Sequence, residues 1–134
     1  LKIRNSFPSL SERDSPLKEE TMQKKKAWIY ARVSERTQRN LIFYQKDLLC
    51  SLAEHMNLEV CGFVHEITKG NTLNTKGIRD ILVHVRRKDF DVLLIYDWTR
   101  LVIYRDLFME FKMFCDQHHV SILTIQDIET RFLG

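Results

Sequence analysis

The run Trp28-Ile29-Tyr30-Ala31-Arg32-Val33-Ser34 decides how this chain is read. Its apolar, aromatic and β-branched residues predict a strand over residues 27 to 32, and it ends in Arg-Val-Ser. A hydroxyl therefore stands two residues from a guanidinium where a buried strand emerges into a loop. Serine is a weak nucleophile until its surroundings activate it, and a neighbouring cation also favours a phosphate ligand. The plain alternative is a strand end with incidental polar residues, since Arg-x-Ser is common by chance.

Outward from that run the chain alternates between strand and helix patterns. Leu41, Gln45, Leu48, Leu49, Leu52 and Met56 fall at helical spacing and predict an amphipathic helix from about 38 to 56. A second strand follows over 58 to 65, then a Gly/Asn/Thr loop over 66 to 75. Ile78, Ile81, Leu82 and Val85 mark a second helix. Val92 to Tyr96 is a continuous apolar run, as in a strand covered on both faces. Leu107, Phe108, Phe111, Phe114 and Cys115 stripe a third helix, and Val120 to Ile125 a fourth strand. This alternation implies an α/β fold in three layers, with a largely parallel central sheet of at least four strands and helices on both faces. In such folds ligands sit beyond the carboxyl ends of the strands. Ser34 follows the first strand, Glu66 the second and Arg100 the third, so topology alone brings three distant segments to one rim.

Composition sets the remaining bounds. A chain of 134 residues, 44% hydrophobic and 29% charged, builds one soluble globular core. Residues 1 to 25 hold both prolines and little apolar periodicity, and are expected to be a flexible leader before a folded domain over 26 to 134. No apolar run reaches membrane-spanning length, and the first residues lack a signal-peptide core. The three cysteines are widely spaced in apolar surroundings and read as reduced thiols of a cytoplasmic protein. No Cys or His spacing suits a metal, and His118-His119 reads as a helix end. A net charge of +3 permits a nucleic-acid partner without demanding one.

The order of these features resembles the catalytic domain of the serine recombinases, the resolvase/invertase family, over about residues 26 to 128. Tyr30-Ala31-Arg32-Val33-Ser34 matches the family's opening motif in full. Gln38 and Gln45, Glu66 with Lys69-Gly70, Gly77-Ile78 and the strand from Phe90 to Tyr96 match in spacing, and Thr99-Arg100-Leu101 matches the last motif in part. The resemblance implies a nucleophilic Ser34 that attacks a DNA phosphodiester, becomes joined to the 5′-phosphate and conserves the bond energy for rejoining. It implies no metal and no small-molecule cofactor, so arginines neutralise the pentacoordinate phosphorus, with Arg32 and Arg100 as phosphate ligands. Gln38, Gln45, Lys76 and Arg105 fall to DNA or phosphate binding. A homodimer or tetramer is implied as well. In the family a long dimerising helix and a separate DNA-binding domain follow this one, so weak DNA binding is expected of this chain alone.

Departures from the family pattern bear on activity. Thr99 stands where the family has the aspartate of Asp-Arg-Leu-Ser-Arg, Ile103 where it has the second arginine, and Thr75 where an arginine precedes the Gly-Leu of the second helix. Lys76 and Arg105 lie one and two residues beyond the missing arginines. Weakened or lost cleavage is the expectation, with an active divergent enzyme as the alternative. A non-catalytic dimerisation or regulatory module of the same fold class stands third. A phosphate-accepting receiver is disfavoured, because the first strand ends in Arg32 and Ser34 rather than in an acidic pair.

Overall fold

The computed structural model describes residues 24–128. Strand β1 (Lys25–Val33) leads through a 3-10 turn (Arg36–Gln38) into helix α1 (Asn40–His55). Strand β2 (Leu58–Ile67) and helix α2 (Lys76–Arg86) follow, then β3 (Val92–Ile95), a second 3-10 turn (Trp98–Arg100), α3 (Arg105–Gln117) and β4 (Ser121–Thr124). The four strands form one parallel sheet in the order β2-β1-β3-β4.

Alternation along β1 sends side chains to two cores. Ala27 and Ile29 pack with Leu49 and Ala53 of α1, with Val92 and Leu94, and with Ile128. Tyr30 packs on the other face with Ile78, Ile81 and Val85 of α2, Leu93 and Ile95, and Phe111 and Cys115 of α3. Each helix supplies its apolar stripe at i, i+3, i+4 spacing, as the sequence implies. Strand β3 is buried at all four positions because helices cover both its faces.

The expected α/β fold with a parallel sheet and helices on both faces is the fold observed. Some boundaries shift. β1 begins at Lys25, because Lys25 and Lys26 extend the ladder opposite Leu58 and Glu59. The expected leader lies outside the described residues except at its last two positions. The helix expected from residue 38 opens as a 3-10 turn, and regular α-helix starts at Asn40. No helix among the described residues is long and apolar enough to cross a membrane. Because the strands run parallel, the segments after Val33, Ile67 and Ile95 all leave the sheet at one edge.

Candidate active site

Arg32 sits at the centre of that edge. It is only 2% exposed, and its guanidinium reaches all three loops. Nη1 donates to Ser34 Oγ at 3.2 Å and to the Thr68 carbonyl at 2.7 Å. Nη2 donates to the Thr99 carbonyl at 2.8 Å, and Nε to the Arg100 carbonyl at 3.2 Å. Four of the five N–H donors of an arginine are thus engaged by the chain itself. Burial is the main influence lowering its pKa, and the charge of Arg100 pushes the same way, while Tyr30, Asp97 and Glu66 oppose it. The guanidinium nonetheless stays charged.

The loops are shaped around this group. Gly70 takes φ +75°, and a Cβ placed there would lie 2.5 Å from Arg32 Cζ, so only glycine closes over the guanidinium. The Gly70 carbonyl accepts from the Ile103 N–H at 2.7 Å, which joins the second loop to the third. Asp97 caps the turn Trp98–Arg100: its Oδ1 accepts from the Thr99 N–H at 2.8 Å and from the Thr99 hydroxyl. That cap fixes the carbonyls that Arg32 holds. Behind them Gln45, 3% exposed, donates through Nε2 to the Arg32 carbonyl at 3.2 Å, while its Oε1 is buried without a partner.

Glu66 serves a second network on the same face. Its Oε2 accepts from the Tyr30 hydroxyl and the Thr75 hydroxyl, both at 2.7 Å, and its Oε1 from the Gly77 N–H at 2.9 Å. Thr75 is the N-cap of α2, and its Oγ1 also accepts from the Ile78 N–H at 3.2 Å. A carboxylate at a helix N-terminus meets free N–H groups and the positive end of the helix dipole. Burial foremost, and then Glu66, push the Tyr30 hydroxyl well above its ordinary pKa. Gly77 admits the carboxylate, since a Cβ there would stand 2.5 Å from Glu66 Cδ. Glu66 therefore anchors α2 rather than standing solvated.

Arg32 holds both Ser34 Oγ and the main-chain carbonyl of Arg100, and Ser34 is partly exposed at the rim. Gln45 faces the main chain of Arg32 from the interior, whereas Gln38 is exposed on the first 3-10 turn. Lys76 is exposed at the first turn of α2, beside Glu66 and Arg79. The guanidinium carbon of Arg105 lies 5.6 Å from the centroid of the Trp98 ring, a cation–π position. Asp97 and Tyr30 had no assigned role in the sequence. The Asp97-x-Thr99 spacing directly after β3 is the signal for the first, a side chain accepting from the N–H two residues on. Among the described residues no three His, Cys, Asp or Glu side chains gather as a metal site would require.

Comparison with known proteins shows the family and the fold. The C-terminal catalytic domain of ISC1926 TnpA, an IS607-like serine recombinase, is 26% identical, with a TM-score of 0.71 over 75% of this chain and 67% of that one. A serine recombinase from Sulfolobus solfataricus is 25% identical, with a TM-score of 0.63 over 77% of this chain and 69% of that one. The N-terminal catalytic domain of TP901-1 integrase, at 24% identity, shares the fold with a TM-score of 0.72 over 77% of this chain and 79% of that one. The sequence profile described as "Resolvase, N terminal domain" matches residues 27–132, from β1, which carries Arg32 and leads into Ser34, to beyond β4. By that match this chain belongs to the resolvase family, as a catalytic domain of the serine recombinase type.

Proposed function

We propose that this domain carries out DNA strand transfer through a 5′-phosphoserine at Ser34, and that cleavage is slow. The observation that supports the reading is the pair formed by Ser34 Oγ and Arg32 Nη1 at 3.2 Å, with Arg100 on the adjoining loop. In the forward step the Oγ–P bond forms and the P–O3′ bond breaks. The hydroxyl proton of Ser34 passes to solvent at the rim, and O3′ takes up a proton from solvent as the 3′-hydroxyl departs. Arg32 orients Oγ and stabilises negative charge on it as the proton leaves. Arg100 is the guanidinium left to meet the phosphate oxygens, because Arg32 retains a single free N–H.

Slowness follows from the replaced groups. Each preorganised donor to a developing oxyanion is worth about 2.7–4 kcal/mol, and two family arginines are absent at Thr75 and Ile103. Gln38, Lys76 and Arg105 line the approach as DNA contacts, and the acting unit is a homodimer or tetramer that binds DNA weakly without further domains. The charged groups lost favour a regulatory or dimerisation module as the second reading. Denaturing electrophoresis of the chain with an end-labelled, nicked duplex separates the two. Catalysis predicts a slow adduct that Ser34→Ala abolishes and Arg100→Ala slows at least 10²-fold. No adduct from the unaltered chain after days at high DNA concentration supports the module.

A further inference from the structure

Beside Ser34 the rim carries a groove of about 360 Å³ that the strand-transfer step does not use, lined by Arg36, Arg39, Ile42, Phe43, His65 and Ile67. It lies between the start of α1 and the end of β2, which is an outer strand of the sheet. Ile67 pairs with Val33, the residue before Ser34, and the Thr68 N–H donates to the Val33 carbonyl at 3.0 Å. Buried Ile42 forms the floor. Two large apolar side chains stand in the walls, Phe43 at 48% and Ile67 at 40% exposure. His65 flanks them, its ring centroid 6.0 Å from that of Phe43.

The groove's cations set what suits it. Arg36 and Arg39 are both exposed at its mouth. Among the described residues neither guanidinium is engaged in a hydrogen bond or ion pair, and the neighbouring carboxylate, Glu35, accepts from the Thr37 hydroxyl at 3.4 Å. Two guanidiniums beside an exposed aromatic ring match a ligand that joins an anion to a flat apolar face. A nucleotide does so: its phosphates suit the arginines and its base suits Phe43 and Ile67. A base stacked inside a duplex offers no face to such a wall, so the ligand is unpaired.

We propose that this groove binds an unpaired nucleotide of a DNA strand, with the base against Phe43 and Ile67 and the flanking phosphates on Arg36 and Arg39. The groove reaches the rim one residue from Ser34, so the nucleotide held there is one that flanks the reacting phosphate. This last placement rests on the strand-transfer reading; the binding itself does not.

Fluorescence anisotropy of the full chain with a labelled ten-residue oligothymidylate, and with a duplex of equal length, tests the proposal. The single strand is expected to bind more tightly than the duplex. Phe43→Ala should weaken single-strand binding about tenfold and leave duplex binding unchanged. Arg36→Gln with Arg39→Gln should reduce the slope of log K against log salt by about 1.4, two phosphates' worth for single-stranded DNA. All these side chains are exposed, and unchanged melting curves verify the fold of each variant. Amide chemical shifts in a titration should move at residues 36–43 and 65–67. No detectable single-strand binding, equal binding by Phe43→Ala, or shifts confined to the Lys76 or Arg105 surfaces would overturn the proposal. A Ser34-dependent adduct alongside such a result removes the groove alone. Groove binding with no adduct removes the strand-transfer reading alone.

Discussion

Arg32 lies at the end of β1 with Ser34 one residue beyond the strand, and the guanidinium that touches Ser34 Oγ at 3.2 Å also holds the carbonyls of Thr68, Thr99 and Arg100. One side chain thereby meets the hydroxyl proposed as the nucleophile and ties together the three loops around it. Neutral carbonyl acceptors suit a buried cation because each supplies a partner without introducing a charge to be desolvated. Any substitution that loosens the tie is expected to act on stability and on Ser34 chemistry together.

Gly70→Ala is the sharpest such change. It forces an L side chain to φ +75° and sets a Cβ 2.5 Å from Arg32 Cζ. Destabilisation of at least ~1 kcal/mol is expected, together with loss of the Ser34 adduct. Urea denaturation checks the first, and an unchanged midpoint would show that Gly70 is not needed to close the loop.

Tyr30→Phe removes one of three donors to Glu66, a charge-assisted hydrogen bond of about 1.5–3 kcal/mol. The Tyr30 hydroxyl titrates higher in the folded chain than in the unfolded one. Its contribution is therefore present in full below pH ~10 and is lost as pH rises toward the folded value. Cys115, pushed up to about 12 chiefly by burial, adds loss in the same direction. Denaturation at pH 7 and pH 10.5 should show a smaller alkaline loss for the Phe variant than for the unaltered chain. Equal losses would place the alkaline sensitivity elsewhere.

Restoring the family's charged groups one at a time should have unequal effects. Thr75→Arg deletes the cap of α2 and a donor to Glu66, for a cost of about 1 kcal/mol or more. Thr99→Asp sets a second carboxylate beside Asp97 and removes the hydroxyl that Asp97 accepts from. Ile103 is 43% exposed, so Ile103→Arg should change stability by no more than ~0.5 kcal/mol. Thermal melts of the three single variants test this order, and a large loss in Ile103→Arg would contradict it.

The frame of the fold was legible because burial imposes period on sequence: the stripe Ile78, Ile81, Val85 and the unbroken run Val92 to Ile95 can be read without coordinates. The rim was legible for the same reason, since parallel strands place their carboxyl ends together. What Arg32 binds was not. Its partners are mostly main-chain carbonyls, which every residue carries and no sequence pattern marks. Glu66 is a similar case, since its role depends on the N-terminus of α2 folding back onto β2. Asp97 was not legible because the family pattern has its carboxylate at 99, and a capping side chain does its work from two residues earlier.

Acid sensitivity should have a small, identifiable source at the opposite edge of the sheet. The Asp91 carboxyl is held below the ordinary carboxylate range, first by Lys88 Nζ at 2.7 Å and then by the Lys26 N–H at 2.9 Å. Its contribution is complete above the unfolded value of ~3.9 and is lost as pH falls through the lower folded one. Both side chains are more than a third exposed, so solvent screening keeps the ion pair below ~1 kcal/mol. Asp91→Asn should flatten the stability curve between about pH 4 and pH 2 relative to the unaltered chain. An identical curve would rule Asp91 out.

Ser34 is proposed as a working but under-supported nucleophile, and mass spectrometry of the covalent product tests that most directly. The unaltered chain and Ile103→Arg are incubated with a pool of nicked duplexes of randomised sequence, digested with nuclease and protease, and searched for a nucleotide remnant. A remnant on Ser34 that accumulates slowly in the unaltered chain, and at least tenfold faster in Ile103→Arg, is the predicted result. A remnant on another residue, one that survives Ser34→Ala, or none in either chain would contradict it.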